Sequence, residues 1–95
     1  MCGIAGFFGT KSIDKERIAN TLILMKNRGP DFSCSKSFSF GDFNINLLHS
    51  RLNIIDLSSR SNQPFFIKDY VLVFNGEIYN YVELAKILKK KKIDL

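Results

Sequence analysis

The sequence is short of cysteine and of long apolar segments, and each shortage narrows the classes of protein it can encode. Its two cysteines, Cys2 and Cys34, are too few for a disulfide framework and lack the spacing of a zinc site. No apolar run approaches the roughly 20 residues of a membrane-spanning helix. The N-terminus also lacks the basic and then apolar pattern of a signal peptide. We therefore expect a cytoplasmic protein with no membrane partner and no metal ligands in this segment.

Chain length and net charge limit the size of the domain and the kinds of partner it can bind. The 95 residues make one small domain at most, with a core of marginal stability. The net charge is +5, and much of it lies in the run Lys89–Lys92. Such a run is typical of a solvated helix end, where cations also interact favourably with the helix dipole. Because no nucleic-acid-binding motif accompanies it, we expect no nucleic-acid partner.

Hydropathy patterns along the chain predict an α+β fold. The glycine-spaced apolar run at 2–8 is typical of a buried strand. Ile18, Leu22 and Met25 recur at helical spacing and predict a helix over 14–27 that buries this stripe. The other predicted elements are a strand before a turn at Gly41–Asp42, strands at 43–48 and 52–55, a polar loop at 56–63, a central strand at 70–74 and a helix at 81–91. The order β-α-β-β-β-β-α indicates layered packing.

The last predicted helix carries a recognisable start. Asn80 and Glu83 have the spacing of a capping box, with Asn in place of the usual Ser or Thr. Tyr81, Leu84 and Leu88 recur at helical spacing and are predicted to form its buried stripe. This helix is therefore expected to pack against the sheet.

Cys2 occupies a position where one residue can supply both nucleophile and base. Met1 is expected to be removed by an aminopeptidase, because the second side chain is small. Removal leaves an α-amine, with a reference pKa of about 7.7–8.0, beside the thiol. The amine can take the thiol proton and return it to a leaving group. A cysteine at this position is weak support for catalysis unless the rest of the sequence agrees.

Several short segments do agree, and they occur in a fixed order: CGIAG at 2–6, RGPD at 28–31, HSRLNIIDLS at 49–58, QPF at 63–65 and FNGEIYNY at 74–81. Together they resemble the glutaminase domain of the asparagine synthetase family. That domain is a class II glutamine amidotransferase with the N-terminal-nucleophile (Ntn) hydrolase fold. RGPD and NGEIYNY favour this branch over the glucosamine-phosphate and purine-pathway branches.

The resemblance implies a role for each matching residue. Cys2 would be the nucleophile, and Arg51 would clamp the glutamine α-carboxylate. Asn75 and Gly76 would form the oxyanion hole through a side-chain amide and a backbone N–H. The remaining substrate-binding positions would be Glu77, which faces the α-ammonium, and the backbone at Leu52, Ile54 and Ile55.

Plain structural alternatives remain for several of these residues. An Asn-Gly pair is also the preferred hairpin turn, although a helix rather than a strand is predicted to follow it here. Arg51 and Glu77 could be ordinary surface charges. We interpret His49 and the loop at 28–31 as structural. Cys34 is interpreted as a small buried apolar residue.

The fold and function implied by the resemblance are those of an incomplete enzyme. Residues 1–95 would be the N-terminal part of a type-2 glutamine amidotransferase domain, the front of a layered αββα sandwich. Glutamine would be hydrolysed to glutamate and ammonia through a Cys2 thioester. The ammonia would serve ATP-dependent amidation of aspartate by a synthetase domain or subunit absent from this segment. ATP and Mg would belong to that domain alone, and the full-length protein could be a homodimer.

Two other functions stay open at this point. The chain could be a non-catalytic remnant that binds glutamine or a partner. It could also serve an amidotransferase for a surface-polysaccharide sugar, because such relatives share this front domain. We further expect this segment on its own to be poorly folded and to have little or no activity, since a layered sheet without its remaining strands exposes apolar faces and open edges.

Overall fold

Antiparallel strands and two helices make up the part of the chain that the computed structural model describes, residues 1–54 and 57–93. In chain order the elements are β1 (Gly3–Gly9), α1 (Lys15–Met25), β2 (Phe32–Phe40), β3 (Phe43–Arg51), a 3-10 turn (Ser59–Ser61), β4 (Phe65–Ile67), β5 (Tyr70–Leu72) and α2 (Tyr81–Lys90). The α+β class predicted from the sequence is confirmed.

β3 is the middle strand of a three-stranded antiparallel sheet with the order β1-β3-β2. Its C-terminal end lies beside the start of β1, where Gly3 is opposite Ser50. The predicted hairpin between β2 and β3 is confirmed. Gly41 adopts a φ of +56° there, in the left-handed region that glycine enters without a Cβ penalty. The hairpin aligns β2 with β3 along the full length of both strands.

α1 forms within the predicted range and with the predicted inward stripe, and Asp14 caps its first turn. Asp14 Oδ1 accepts a hydrogen bond from the Arg17 backbone N–H at 2.8 Å, which satisfies one of the unpaired donors of the first turn. Ile18, Leu22 and Met25 are the half-buried positions of the predicted stripe. The helix therefore packs its apolar side against the sheet, although none of its residues is fully buried.

Strand alternation gives the sheet two different faces. A cavity between the sheet and α1 is lined by Ala5, Asn46 and Leu48 on the strands and by Ile18 and Thr21 on the helix. Since directly opposed residues of an antiparallel pair share a face, this face carries mostly small and polar side chains. It is the face that α1 covers.

The opposite face of the sheet carries phenylalanines and is only partly covered. Phe8 and Phe43 stack with their ring centroids 4.8 Å apart, yet Phe8 is 66% exposed. Phe38 contacts Phe66 of β4 at a centroid distance of 5.8 Å. The β4–β5 hairpin thus shields one edge of this face. Among the described residues, Leu48 alone is a buried hydrophobic side chain.

The separate strand predicted over 52–55 is wrong for the residues that the structure describes. β3 continues up to this segment, and the chain then leaves the sheet. The Leu52 N–H donates to Cys2 Sγ at 3.3 Å, and the Asn53 N–H donates to the Asp31 carboxylate at 2.7 Å. Because these donors have side-chain acceptors, they make no strand ladder. Apolar composition had suggested a strand that the hydrogen bonding does not support.

The central strand predicted at 70–74 is shorter and lies elsewhere. β5 pairs with β4 in a separate two-stranded sheet, and Tyr70 is 74% exposed. β4 itself was not predicted. An apolar run such as the one at 70–74 indicates that its side chains favour burial. It does not indicate which other element of the fold covers them. Among the described residues β5 has β4 as its only strand neighbour.

α2 begins where predicted but without the predicted cap or burial. Asn80 is the N-cap residue, yet its side chain makes no capping hydrogen bond, and its ψ of 31° is far from the extended conformation of a capping residue. Tyr81 and Leu84 are exposed, and Leu88 is half-buried. The capping box and the buried stripe are therefore wrong here. Within residues 1–54 and 57–93 no helix is long and apolar enough to cross a membrane.

The exposed apolar face predicts weak stability for residues 1–95 in isolation. We expect this segment to melt over a broad temperature range and to bind a hydrophobic fluorescent dye, because few apolar side chains leave water on folding. Circular dichroism and dye fluorescence measure both properties. A sharp cooperative melt without dye binding would contradict this expectation.

Candidate active site

A cleft of about 390 Å³ opens where β1 begins and β3 ends. Its volume lies in the range of small-molecule sites, roughly 300–1,000 Å³. Every predicted site residue that the structure describes lines it: Cys2, Arg51, Leu52, Ile54, Asn75, Gly76 and Glu77. Ile55 lies outside the described residues. Residues from just before β1 and from the segment before α2 thus share one cavity.

Cys2 is held at the floor of this cleft by the end of β3. The antiparallel register that pairs Gly3 with Ser50 puts Cys2 beside Arg51. The sulfur of Cys2 accepts a hydrogen bond from the Leu52 N–H at 3.3 Å, and the cysteine is half-buried. The thiol of Cys2, the candidate nucleophile, therefore has a defined position in the cleft.

Arg51 is a buried cation with two strong acceptors, which excludes the surface-charge alternative. Its side chain is 6% exposed. The Nη1 group donates to the Ser58 carbonyl and to Asn62 Oδ1, both at 2.7 Å. A buried guanidinium needs such partners because its desolvation is costly. Sequence reasoning gave Asn62 no role, and nothing in its sequence neighbourhood marks it.

The Asn75–Gly76 pair also lines the cleft, but it does not form a hairpin. β5 ends at Leu72 and the next element along the chain is α2, so the hairpin-turn alternative is wrong. Immediately before the pair, the Phe74 N–H donates to Gln63 Oε1 at 2.6 Å, and Gln63 Nε2 donates to the Phe74 carbonyl at 3.2 Å. The segment QPF was noted in the sequence, but Gln63 was given no function.

The loop at 28–31 braces the two strands that carry the site, as its structural interpretation requires. Arg28 Nε donates to the Cys2 carbonyl at 3.3 Å. The Asp31 N–H donates to the Arg51 carbonyl at 3.0 Å. The loop thus holds the backbone of both the cysteine and the arginine. None of these contacts points a loop side chain at a substrate, and the loop's effect on the site is indirect.

His49 is fully buried, and its pKa is lowered. It is 0% exposed, and neither ring nitrogen has a hydrogen-bond partner among the described residues. Burial lowers the pKa of His49 below its ordinary value of 6.5, and the cationic Arg51 lowers it further, while the nearby Phe74 backbone opposes the shift. Its burial within the sheet is consistent with the structural interpretation. Among residues 1–54 and 57–93 as a whole, no group of three His, Cys, Asp or Glu side chains could hold a metal ion.

Comparison with known proteins identifies the family of this chain. The family model described as a glutamine amidotransferase domain matches residues 1–95. The chain belongs to the glutamine amidotransferase domain family. No solved structure matches the chain significantly.

Curated relatives of this amidotransferase chain carry asparagine synthetase names. It is 38% identical to a putative glutamine-hydrolysing asparagine synthetase 2 of Methanocaldococcus jannaschii over 90% of this chain and 20% of that protein. It is 42% identical to a probable glutamine-hydrolysing asparagine synthetase of Acanthamoeba polyphaga mimivirus, over 90% of this chain and 16% of that protein. It is 37% identical to glutamine-hydrolysing asparagine synthetase 1 of Bacillus subtilis, over 96% of this chain and 15% of that protein. The chain therefore spans a fifth or less of each relative.

Replacing Gly29 should unfold the corner of the amidotransferase site. A Cβ at this position would lie 2.2 Å from the Ser50 backbone, a contact that only a backbone shift can relieve. We expect Gly29→Ala to cost about 3 kcal/mol or more. Gly41→Ala is the matched control, because it meets open space and should cost only about 1–2 kcal/mol for its positive φ. Thermal melts of the full-length protein distinguish the two; equal losses would contradict the close-packing argument.

The buried His49 should make stability depend on pH. Since its folded pKa is lowered, the unfolded chain takes up a proton first as the pH falls through about 6.5, and the folded state loses stability there. For one proton the slope is at most about 1.4 kcal/mol per pH unit. Denaturant unfolding between about pH 7 and pH 5.5 should show this component, and His49→Gln should lack it. Parallel pH profiles for the two proteins would contradict it.

Proposed function

We propose that this chain carries the glutamine-hydrolysing site of an asparagine synthetase-like amidotransferase. The observation that supports it best is the single cleft that unites the sulfur of Cys2, the buried Arg51 and the Asn75–Gly76 backbone. A nucleophile, a carboxylate clamp and an oxyanion-hole pair are the groups that hydrolysis of an amino-acid amide requires.

Substrate binding follows from the charges of the cleft. Arg51 offers a planar fork of N–H donors that matches a carboxylate, and it holds the α-carboxylate of glutamine. Glu77 lines the same cleft and faces the α-ammonium. The backbone at Leu52 and Ile54 lines the rest of the site. With these ends fixed, the side-chain amide of glutamine reaches Cys2.

The reaction starts with a proton transfer within one residue. Met1 lies at the mouth of the cleft, 70% exposed, and its removal leaves the α-amine of Cys2 beside the thiol. The amine takes the thiol proton, and the thiolate attacks the amide carbon of glutamine, forming a C–S bond. The carbonyl oxygen becomes an oxyanion, stabilised by the Asn75 side chain and the Gly76 N–H.

Collapse of this intermediate completes the first half of the reaction. The C–N bond breaks as the protonated amine gives its proton to the leaving nitrogen, which departs as ammonia. A γ-glutamyl thioester remains on Cys2. Water then adds to the thioester with the amine as base, the C–S bond breaks, and glutamate leaves with the thiol restored. No external oxidant or reductant is needed.

The wider enzyme is part of the same proposal. Ammonia would pass to an ATP- and Mg-dependent synthetase domain or subunit, with aspartate as the acceptor. The exposed phenylalanine face of the sheet, with Phe8 at its edge, would be covered by the second sheet of an Ntn-type αββα sandwich. We also propose a cytoplasmic protein, with homodimerisation of its full-length form as an option.

The reactivity of Cys2 distinguishes the proposed enzyme from a second candidate function, a glutamine-binding protein without catalysis. A non-catalytic remnant would use the same buried Arg51 to bind glutamine, but Cys2 would not react. An amidotransferase for a polysaccharide sugar would react at Cys2 like the asparagine enzyme and would differ in its acceptor domain.

Labelling with a diazoketone analogue of glutamine tests the proposal. We expect one adduct on Cys2, because the ketone of the analogue binds where the amide carbonyl binds and its diazo carbon takes the place of the amide nitrogen. Once protonated, that carbon forms a C–S bond with Cys2 as dinitrogen leaves; intact mass and peptide mapping of the full-length protein detect the adduct. Cys2→Ala should abolish the adduct. Cys34→Ser is the matched control and should keep it, since Cys34 lies outside the cleft.

The labelling result separates the candidates. Binding of the analogue without an adduct would favour the remnant, and an adduct on Cys34 would contradict the assigned nucleophile. The intact mass also reports whether Met1 is removed. Full turnover by a protein that retains Met1 would contradict the amine as base.

A further inference from the structure

Two consecutive carboxamides hold opposite halves of the cleft. Asn62 Oδ1 accepts from Arg51 Nη1 at 2.7 Å. Gln63, the next residue, makes a double hydrogen bond to the backbone of Phe74, at 2.6 and 3.2 Å. Both side chains are half-buried. One short segment thus contacts the proposed carboxylate clamp and the residue that directly precedes the proposed oxyanion donors.

Asn62 restrains the direction of the guanidinium. Nη1 carries two N–H groups, and their two acceptors are the Ser58 carbonyl and Asn62 Oδ1. With both engaged, the guanidinium plane is fixed, and the edge formed by Nε and Nη2 is the one suited to a carboxylate. A carboxylate contact is the same in the bound substrate and in the transition state, so its loss raises KM and leaves kcat unchanged.

Gln63 takes the place of a neighbouring strand. β5 ends at Leu72, so Phe74 lies beyond the last residue of the β4–β5 pairing. The planar amide of Gln63 satisfies both the N–H and the carbonyl of Phe74, as a paired strand would. Since Phe74 directly precedes Asn75 and Gly76, this contact fixes the peptide planes that aim the oxyanion donors. Oxyanion contacts form only as charge develops, so their loss lowers kcat.

We propose that Asn62 and Gln63 are positioning residues with separate tasks: Asn62 orients Arg51 for the substrate carboxylate, and Gln63 orients the Asn75–Gly76 oxyanion hole. This division rests on the proposed glutaminase function. It assigns the two adjacent amides to different steps, and each should affect a different kinetic constant.

Steady-state kinetics of glutamine hydrolysis by the full-length protein tests the division. Asn62→Ala should raise KM about tenfold with kcat within about threefold of the unmodified protein. Gln63→Ala should lower kcat about 10- to 100-fold with KM within about threefold. Asn20→Ala, an exposed amide on α1, is the matched control and should change neither constant.

Amide hydrogen exchange supplies a readout that does not need turnover. The Phe74 N–H should be protected in the unmodified protein and should exchange at least about tenfold faster in Gln63→Ala, while Asn62→Ala should leave it protected. A merely structural loss would speed exchange across the whole sheet, including β3. Faster exchange confined to the segment around Phe74 supports the positioning assignment.

The outcomes separate failure of this proposal from failure of the glutaminase function. Absence of turnover and of Cys2 labelling in the unmodified protein would contradict the function and, with it, the division. Normal turnover with both variants altering the same constant, or neither altering one, would contradict the division alone. Unchanged exchange at Phe74 in Gln63→Ala would likewise overturn the role of Gln63.

Discussion

The antiparallel pairing of β1 with β3 is the constraint on which the candidate site depends. It brings the second residue of the chain to the end of a strand some 50 positions away, where the Leu52 N–H meets the sulfur of Cys2 at 3.3 Å. The loop at 28–31 fastens the same corner from the other side, through the carbonyls of Cys2 and Arg51. Without this pairing Cys2 and Arg51 would be unrelated positions on a flexible chain.

The buried guanidinium of Arg51 influences the residues around it in the cleft. A desolvated guanidinium is tolerated only with good acceptors, and Arg51 finds two of them in the Ser58 carbonyl and the Asn62 side chain. The pKa of the neighbouring His49 is lowered, chiefly by burial and to a smaller extent by the positive charge of Arg51. The fixed cation of Arg51 favours an anionic group beside it in the cleft, which is the basis of the carboxylate clamp proposed for this residue.

The two faces of the three-stranded sheet differ in how well they are covered, because they carry different side chains. The face under α1 carries small and polar side chains, and a single helix covers it. The other face carries stacked aromatic rings such as Phe8 and Phe43, whose exposed area is more than the short β4–β5 hairpin can shield. Large exposed apolar surfaces of this kind mark positions where another layer packs, in agreement with the layered sandwich proposed for this family member.

The helix α1 and the β2–β3 hairpin follow from the sequence alone, through a helical stripe and a glycine at Gly41. Ordered motifs likewise make Cys2, Arg51 and Asn75 the candidate site residues. Tertiary structure decided where β3 ends, that β5 lies in a separate sheet, and that Asn62 and Gln63 hold the cleft. The reason is physical: local preferences depend on neighbours a few positions apart, whereas the end of β3 and the contacts of Asn62 and Gln63 arise from hydrogen bonds between residues 11 to 50 positions apart, which no local pattern encodes.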